Sequence, residues 1–126
     1  LVAFKRPAKN KAITLEIQIK FPRIIPEVAS VISEGDSDGK KGAKGISFLK
    51  KIIVNKNSEV VALGKNDQVV IAQDPTAREI IAVFDLACVE VNNQIDYKGH
   101  IVKIGNGISF STDLYSIQGI VIGIRR

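Results

Sequence analysis

Few side chains in this sequence have the chemistry of a catalytic or metal site. His100 is the one histidine and Cys88 the one cysteine, so a Ser–His–Asp or Cys–His site would have to use them. His100 directly follows Gly99, a place typical of a solvated histidine at the edge of a turn. Cys88 lies within an apolar run, which is typical of a small core residue. A zinc site is also disfavoured, because there is no second histidine or cysteine.

The carboxylates suggest two sites and complete neither. Asp36, Asp38 and Gly39 resemble the beginning of a calcium-binding loop, but the position of the downstream acidic ligand falls on a serine. Asp85 and Glu90 are an odd number of residues apart, so a regular strand would place them on opposite faces. We therefore expect a non-enzyme with no cofactor and no metal.

A lysine-rich loop is the remaining candidate for a binding site. Lys40, Lys41 and Lys44 lie within a polar segment, residues 36–45, that also contains three glycines. Most such clusters are solvated loops. The alternative is that these three lysines contact an acidic partner or anionic lipid headgroups.

The elements that would position these residues begin with one continuous stretch, residues 13–36. Residues 13–21 alternate strictly between apolar and polar, which predicts a half-buried strand. A helix of two to three turns is predicted next, since Pro26 suits a first turn and Gly35 suits the end of a helix. Its apolar stripe would be formed by Val28, Val31 and Ile32.

The rest of the chain predicts a succession of short strands separated by polar turns. The turns include residues 55–58 and Gly64–Asp67, and residues 74–78 break the pattern. The predicted strands are 46–49 with 51–54, 59–63, 68–72, a kinked or bulged 80–91, a hairpin within 92–104, 108–112 and 116–124. About eight short strands and one short helix indicate an all-β domain, either a small barrel or a sandwich.

The charge of the chain lies at its two ends. The formal net charge is +5, yet residues 12–124 carry 12 basic and 13 acidic side chains. The body is therefore neutral, which is a poor surface for tracking phosphates, and no nucleic acid is expected. One domain, residues 12–126, is predicted, with residues 1–11 as a basic linker.

The opening and the close of this domain resemble the bacterial domain-of-unknown-function family 4330. The opening reads RIIPEVASVISEGD over residues 23–36. The close reads YKGHIVKIG over 97–105, then ISF at 108–110 and YSIQGIVIGI over 115–124. The resemblance covers residues 13–124 and implies a small envelope protein in which one N-terminal membrane span precedes this domain.

Two further observations bear on the setting. The order of strand, Pro-Glu, short helix and Gly-Asp is similar in layout to mammalian-cell-entry domains, which are β-barrels that assemble into lipid-passing rings. The chain contains no methionine, and its first residues are apolar up to Lys5 and Arg6, as at the end of a membrane span. With the family resemblance, this predicts that residues 1–11 are a basic linker at the end of a removed membrane anchor.

The sequence therefore favours three roles, in this order. The first is a membrane-anchored interaction or assembly domain at the bacterial envelope, whose partner is a second copy or another envelope protein. The second is a lipid-handling domain of the cell-entry type. The third is a cytosolic binding module that uses Lys40, Lys41 and Lys44. For the first role the predicted location is the bacterial cell membrane, which the protein crosses with a single span. Both sides of the membrane remain open as the location of the domain.

Overall fold

A computed structural model describes residues 11–39 and 45–125, and nearly all of their regular structure is β. The first elements are the strand β1 (Lys11–Ile24) and the one-turn helix α1 (Pro26–Ala29). The remaining elements are β2 (Phe48–Leu63), a 3-10 turn (Lys65–Asp67), β3 (Val69–Val91), β4 (Gln94–Tyr97), β5 (His100–Ile101), β6 (Gly107–Ser111) and β7 (Ser116–Arg125). The described strands pair only in antiparallel fashion.

The seven strands form one sheet that is organised around β3. The order is β5-β4-β3-β1-β7-β6, and β2 also pairs with β3. β1 lies along one side of β3, whereas β2 and β4 follow one another along its other side. The connection between β5 and β6 links the two ends of the sheet, because Val102 N–H donates to Ile95 O and Gly105 N–H to Val121 O, each at 2.8 Å. The sheet is nevertheless not closed.

The core lies on the side of the sheet to which the apolar residues of β1 point. The register places Ile17 opposite Phe84 and Ile19 opposite Ala82, and all four are buried. The Phe84 ring packs against Phe21 at a centroid distance of 5.9 Å and against Phe110 at 4.7 Å. Burying each such apolar side chain contributes about 1.5–3 kcal/mol, so this cluster joins three strands at the centre of the sheet.

The predicted mainly β domain with one short helix is confirmed, but its strands are fewer and longer than predicted. Residues 55–58, predicted as a turn, lie within β2, and residues 74–78, predicted as a break, lie within β3. The reason is that β2 and β3 pair along nearly their whole length, with irregularities absorbed as bulges. The predicted barrel is not closed, and a two-sheet sandwich is not formed because all seven strands share one sheet.

The helix is shorter than predicted. It ends at Ala29, and beyond it the N–H groups of Val31 and Ile32 donate only three residues back. The chain then turns towards β2, where Gly35 N–H donates to Leu49 O at 2.6 Å. Of the predicted linker 1–11, only Lys11 is among the described residues, and it begins β1. No helix within the described residues is long and apolar enough to cross a membrane.

We expect Gly119→Ala to destabilise the fold, because a Cβ there would lie 2.6 Å from the carbonyl oxygen of Lys20. Overpacking of this kind costs about 1–3 kcal/mol. The matched control is Gly107→Ala on the neighbouring strand, where the nearest atom would be 3.9 Å away. Urea unfolding should give a lower midpoint for Gly119→Ala and an unchanged or slightly higher one for Gly107→Ala. Equal midpoints would contradict the packing described for β7.

Candidate functional site

The predicted lysine cluster falls outside the residues that the structure describes. Lys40, Lys41 and Lys44 all lie within residues 40–44. The two sides of this loop are described, and they are tied together. Asp38 N–H donates to Ser47 O at 3.1 Å, and Ser47 N–H donates to Asp38 Oδ1 at 2.9 Å. The two described ends of this segment therefore lie side by side.

Asp38 is the most buried carboxylate among the described residues that form ion pairs. Its side chain is 1% exposed. It accepts hydrogen bonds from the Tyr97 hydroxyl and Ser47 N–H, and Lys98 Nζ lies 3.1 Å from Oδ2. Burial alone would raise the pKa of this carboxyl, but these donors and the lysine charge together hold the pKa of Asp38 below its ordinary value.

Asp36 is held by the other tyrosine of the chain. It accepts hydrogen bonds from the Tyr115 hydroxyl and, at 2.8 Å, from Ser33 N–H. Burial, and then the carboxylate acceptors, raise the pKa of both Tyr97 and Tyr115, so both hydroxyls stay protonated and donate. The two carboxylates that resemble a calcium loop therefore tie the described residues 36–39 to Tyr97 of β4 and to Tyr115. Within residues 11–39 and 45–125, no group of three or more metal-ligating side chains occurs.

Cys88 lies in the core, as the sequence indicated, whereas His100 follows the turn as expected but is half-buried, not fully solvated. His100 is half-buried on β5, beside an open depression of about 360 Å³ that Pro22 and Gln118 also line. Cys88 is buried, and its sulfur lies 3.5 Å from the carbonyl oxygen of Leu86. Burial, helped by the nearby charge of Asp96, raises the pKa of the Cys88 thiol to about 11.

Asp85 and Glu90 lie on opposite faces of β3, as predicted. Asp85 is opposite Glu16 and Glu90 is opposite Lys11, with no register shift between them. Glu16 in turn accepts a hydrogen bond from Lys50 Nζ at 3.0 Å, which is the main reason why its pKa is lowered. The two acids therefore do not form a carboxylate pair.

The most unusual surface is a hairpin that continues β2 and β3 past the rest of the sheet. We call it the arm: Ser58–Leu63 of β2, the turn at 64–68, and Val69–Asp74 of β3. Among the described residues, β1 pairs with β3 only as far as Arg78, so each arm strand pairs there only with the other. At about 3.3 Å per residue, six residues carry the arm about 20 Å outwards.

Polar ties hold the base of the arm to the sheet. Ser58 Oγ donates to the Pro22 carbonyl oxygen at 2.7 Å. The Arg23 guanidinium pairs with Asp74. Between these ties the pairing jumps from Asn57–Arg78 to Ser58–Asp74, so three residues of β3 form a bulge.

The outer part of the arm is apolar and solvent-exposed. On one face, which we call the arm face, the register pairs Val61 with Ile71 and Leu63 with Val69, and these are exposed by 73%, 66%, 76% and 68%. The opposite face carries Val60, Ala62 and Val70, which are also exposed. A contiguous exposed apolar patch on a soluble domain is typical of an interaction site.

The tip of the arm is polar and tightly turned. Gly64 N–H donates to Gln68 O at 2.7 Å. Asn66 and Asp67 adopt φ angles of 63° and 56°, which these two residue types accept more readily than most. The turn predicted at Gly64–Asp67 is therefore present, and it places Lys65 at the exposed end of the arm.

The outer edge of β2 is protected along the body of the sheet and unprotected along the arm. Its body part, residues 48–57, carries Lys50, Lys51 and Lys56 and is interrupted by register shifts. Lysines and bulges are the usual devices that keep an edge from pairing with another chain. The arm part, residues 59–63, has no lysine and keeps a regular register.

Sequence reasoning identified both strands of the arm but not their exposure. Residues 59–63 and 68–72 are short apolar runs around a polar turn, a pattern that normally indicates buried strands. One signal in the sequence could have indicated this exposure. Neither run alternates between apolar and polar residues, so neither has one face suited to solvent and one suited to the core. Burial could not be judged without knowing where β1 ends.

We expect Asp38→Asn to lower stability at neutral pH by about 1–3 kcal/mol, because the charged acceptor of several hydrogen bonds is lost. The folded-state pKa of Asp38 is lowered, so its contribution is fully present above the unfolded pKa of about 3.9 and is lost as the pH falls through the lowered folded-state pKa. The difference in unfolding free energy between wild type and variant should therefore be largest at pH 7 and shrink as the solution is acidified below the unfolded pKa. Asp113→Asn, an exposed position, is the control. A difference that does not shrink on acidification would refute this role.

The chain was compared with family models, with curated proteins and with solved structures. None of the three comparisons found a match.

Proposed function

We propose that this chain is a non-enzymatic β domain that acts in interaction or assembly at the bacterial envelope, and that the arm is its contact surface. The single observation that supports this role is the exposure of the arm face, four large aliphatic side chains on a hairpin anchored at its base. The family resemblance supports the attachment to a membrane through a span that precedes the domain.

A protein partner suits the arm better than a lipid bilayer. Both outer edges of the arm carry backbone N–H and C=O groups without a strand partner among the described residues. In hydrocarbon each such group costs several kcal/mol. The leading end of the arm, Lys65–Asp67 with Gln68, is also polar. Against another polypeptide the apolar faces can be covered while the edges pair or stay in water.

A polar version of the arm face tests this proposal. We expect the combined change Val61→Thr, Leu63→Thr, Val69→Thr and Ile71→Thr to keep the hairpin, because threonine favours strands, and to remove most of its apolar surface. In cells that carry the full-length gene product, cross-linking to its partner should fall at least tenfold. Thermal unfolding of the isolated domain should stay close to that of wild type.

The matched control makes the same kind of change elsewhere on the surface: Ile53→Thr, Ile120→Thr and Ile122→Thr, all of which replace exposed isoleucines outside the arm. Cross-linking should be retained in this control. Equal cross-linking by the arm variant and the control would overturn the proposal. If co-purified lipid, measured by mass spectrometry, is lost with the arm variant while protein cross-links are not, the lipid-handling role replaces it.

The full-length gene product separates the membrane-anchored role from the cytosolic one. We expect about 20 apolar residues upstream of Leu1 and recovery of the protein in the membrane fraction after a salt wash. Recovery in the soluble fraction, with ligand binding lost on changing Lys40, Lys41 and Lys44 to Glu, would instead favour the cytosolic lysine-loop module.

A further inference from the structure

We propose that the occupant of the arm face is the arm of a second copy of this chain, packed face to face and antiparallel. This inference rests on the proposed function, since it names the partner of the same surface. Four residues of each arm would interdigitate: Val61, Leu63, Val69 and Ile71. They form two directly opposed cross-strand pairs, so the face is a compact patch that a two-fold axis can superpose on itself.

The charges around the arm face select a second copy and give the direction of packing. Glu59 lies at the base of the same face as Val61, two residues before it on β2, and Lys65 lies at the tip. An antiparallel two-fold arrangement brings the Lys65 of each arm to the Glu59 of the other. A parallel arrangement would place the two tips together and leave Lys65 away from Glu59 of the other copy. The arm therefore carries at its two ends the charges that its own copy requires.

Further charges lie near both ends of the arm. Asp67 lies at the tip, and Lys56, just before the arm, lies at the base, where its Nζ is 3.7 Å from Glu59 Oε1. In the antiparallel arrangement a tip with Lys65 and Asp67 meets a base with Glu59, Lys56 and the Asp74–Arg23 ion pair, and the Lys65–Glu59 pairs are the complementary ones. Such complementarity fixes register more than it adds affinity, because exposed ion pairs contribute little.

The size of the arm face indicates a weak contact. Two strands about 4.8 Å apart and about 20 Å long present a footprint on the order of 200 Å² per copy. A stable dimer of separate proteins buries about 1,200–2,000 Å² in total. The isolated domain should therefore be mainly monomeric at micromolar concentration. Copies anchored in one membrane share a high effective concentration, which makes a weak contact sufficient for assembly.

Disulfide trapping tests both the partner and the direction. The variants Glu59→Cys and Lys65→Cys, one of them carrying a mass tag, are mixed in equal amounts at millimolar concentration and oxidised. The native Cys88 does not interfere, because it is buried. We expect the mixed disulfide between the two variants to dominate and each homodimer to be scarce. In that heterodimer the second Glu59–Lys65 contact remains intact.

Three results would overturn the inference. The first is a dominant Lys65→Cys homodimer, which means tip-to-tip contact, and the second is the statistical 1:2:1 mixture, which means random collision. The third is the same mixed disulfide in the background of the four threonine changes, because the apolar face would then not be required. Sedimentation velocity from micromolar to millimolar concentration should show dimer formation in wild type and none in that threonine variant.

The same variants separate failure of this inference from failure of the proposed function. If the domain stays monomeric and forms no mixed disulfide, while the threonine variant still loses its cross-linked partner in cells, the arm binds a different protein and the second copy is excluded. If the threonine variant keeps its cross-links in cells, the arm is not the contact surface and both proposals fall.

Discussion

The structure depends on one strand that is shared by three others. β3 runs from Val69 to Val91 and pairs with β1 on one side and with β2 and then β4 on the other. Along residues 78–90, β1 supplies hydrogen bonds to one edge of β3 and apolar side chains that pack with it, and the core cluster around Phe84 forms there. Beyond that limit, β3 pairs with β2 alone among the described strands.

The C-terminal end of β1 divides the β2–β3 pair into a part that packs around the core and an exposed part, the arm. The division is marked by a bulge of three residues in β3 and by polar ties from Ser58 to Pro22 and from Arg23 to Asp74. Arg78 adds hydrogen bonds to Asn55 and Asn57, all between 2.6 and 3.0 Å. These hydrogen bonds and the ion pair do not depend on apolar packing, so they can hold the base of the arm in place outside the core.

The sequence predicted structure most accurately where a residue pattern is compatible with a single kind of element. The alternation in residues 13–21 predicted β1 correctly, because a half-buried strand must alternate. Asn55–Ser58 was misinterpreted as a turn because asparagine and serine favour turns in isolation, whereas here their side chains bind Arg78 and Pro22 from neighbouring strands. The tyrosine–aspartate contacts could not be predicted from local sequence patterns either, since Tyr97 and Asp38 are 59 positions apart. The arm was found as two strands, but its exposure depends on the length of a different strand.

The way in which the arm joins the sheet has a mechanical consequence. A pull on the tip, directed along the arm, is carried by β3 into its pairing with β1, which extends from Arg78 to Glu90. The hydrogen bonds of an antiparallel pair lie perpendicular to the strands, so such a force shears the whole ladder at once and cannot open it bond by bond. A domain held at the N-terminal end of β1 and pulled by its arm would transmit tension through the β1–β3 ladder beside the core.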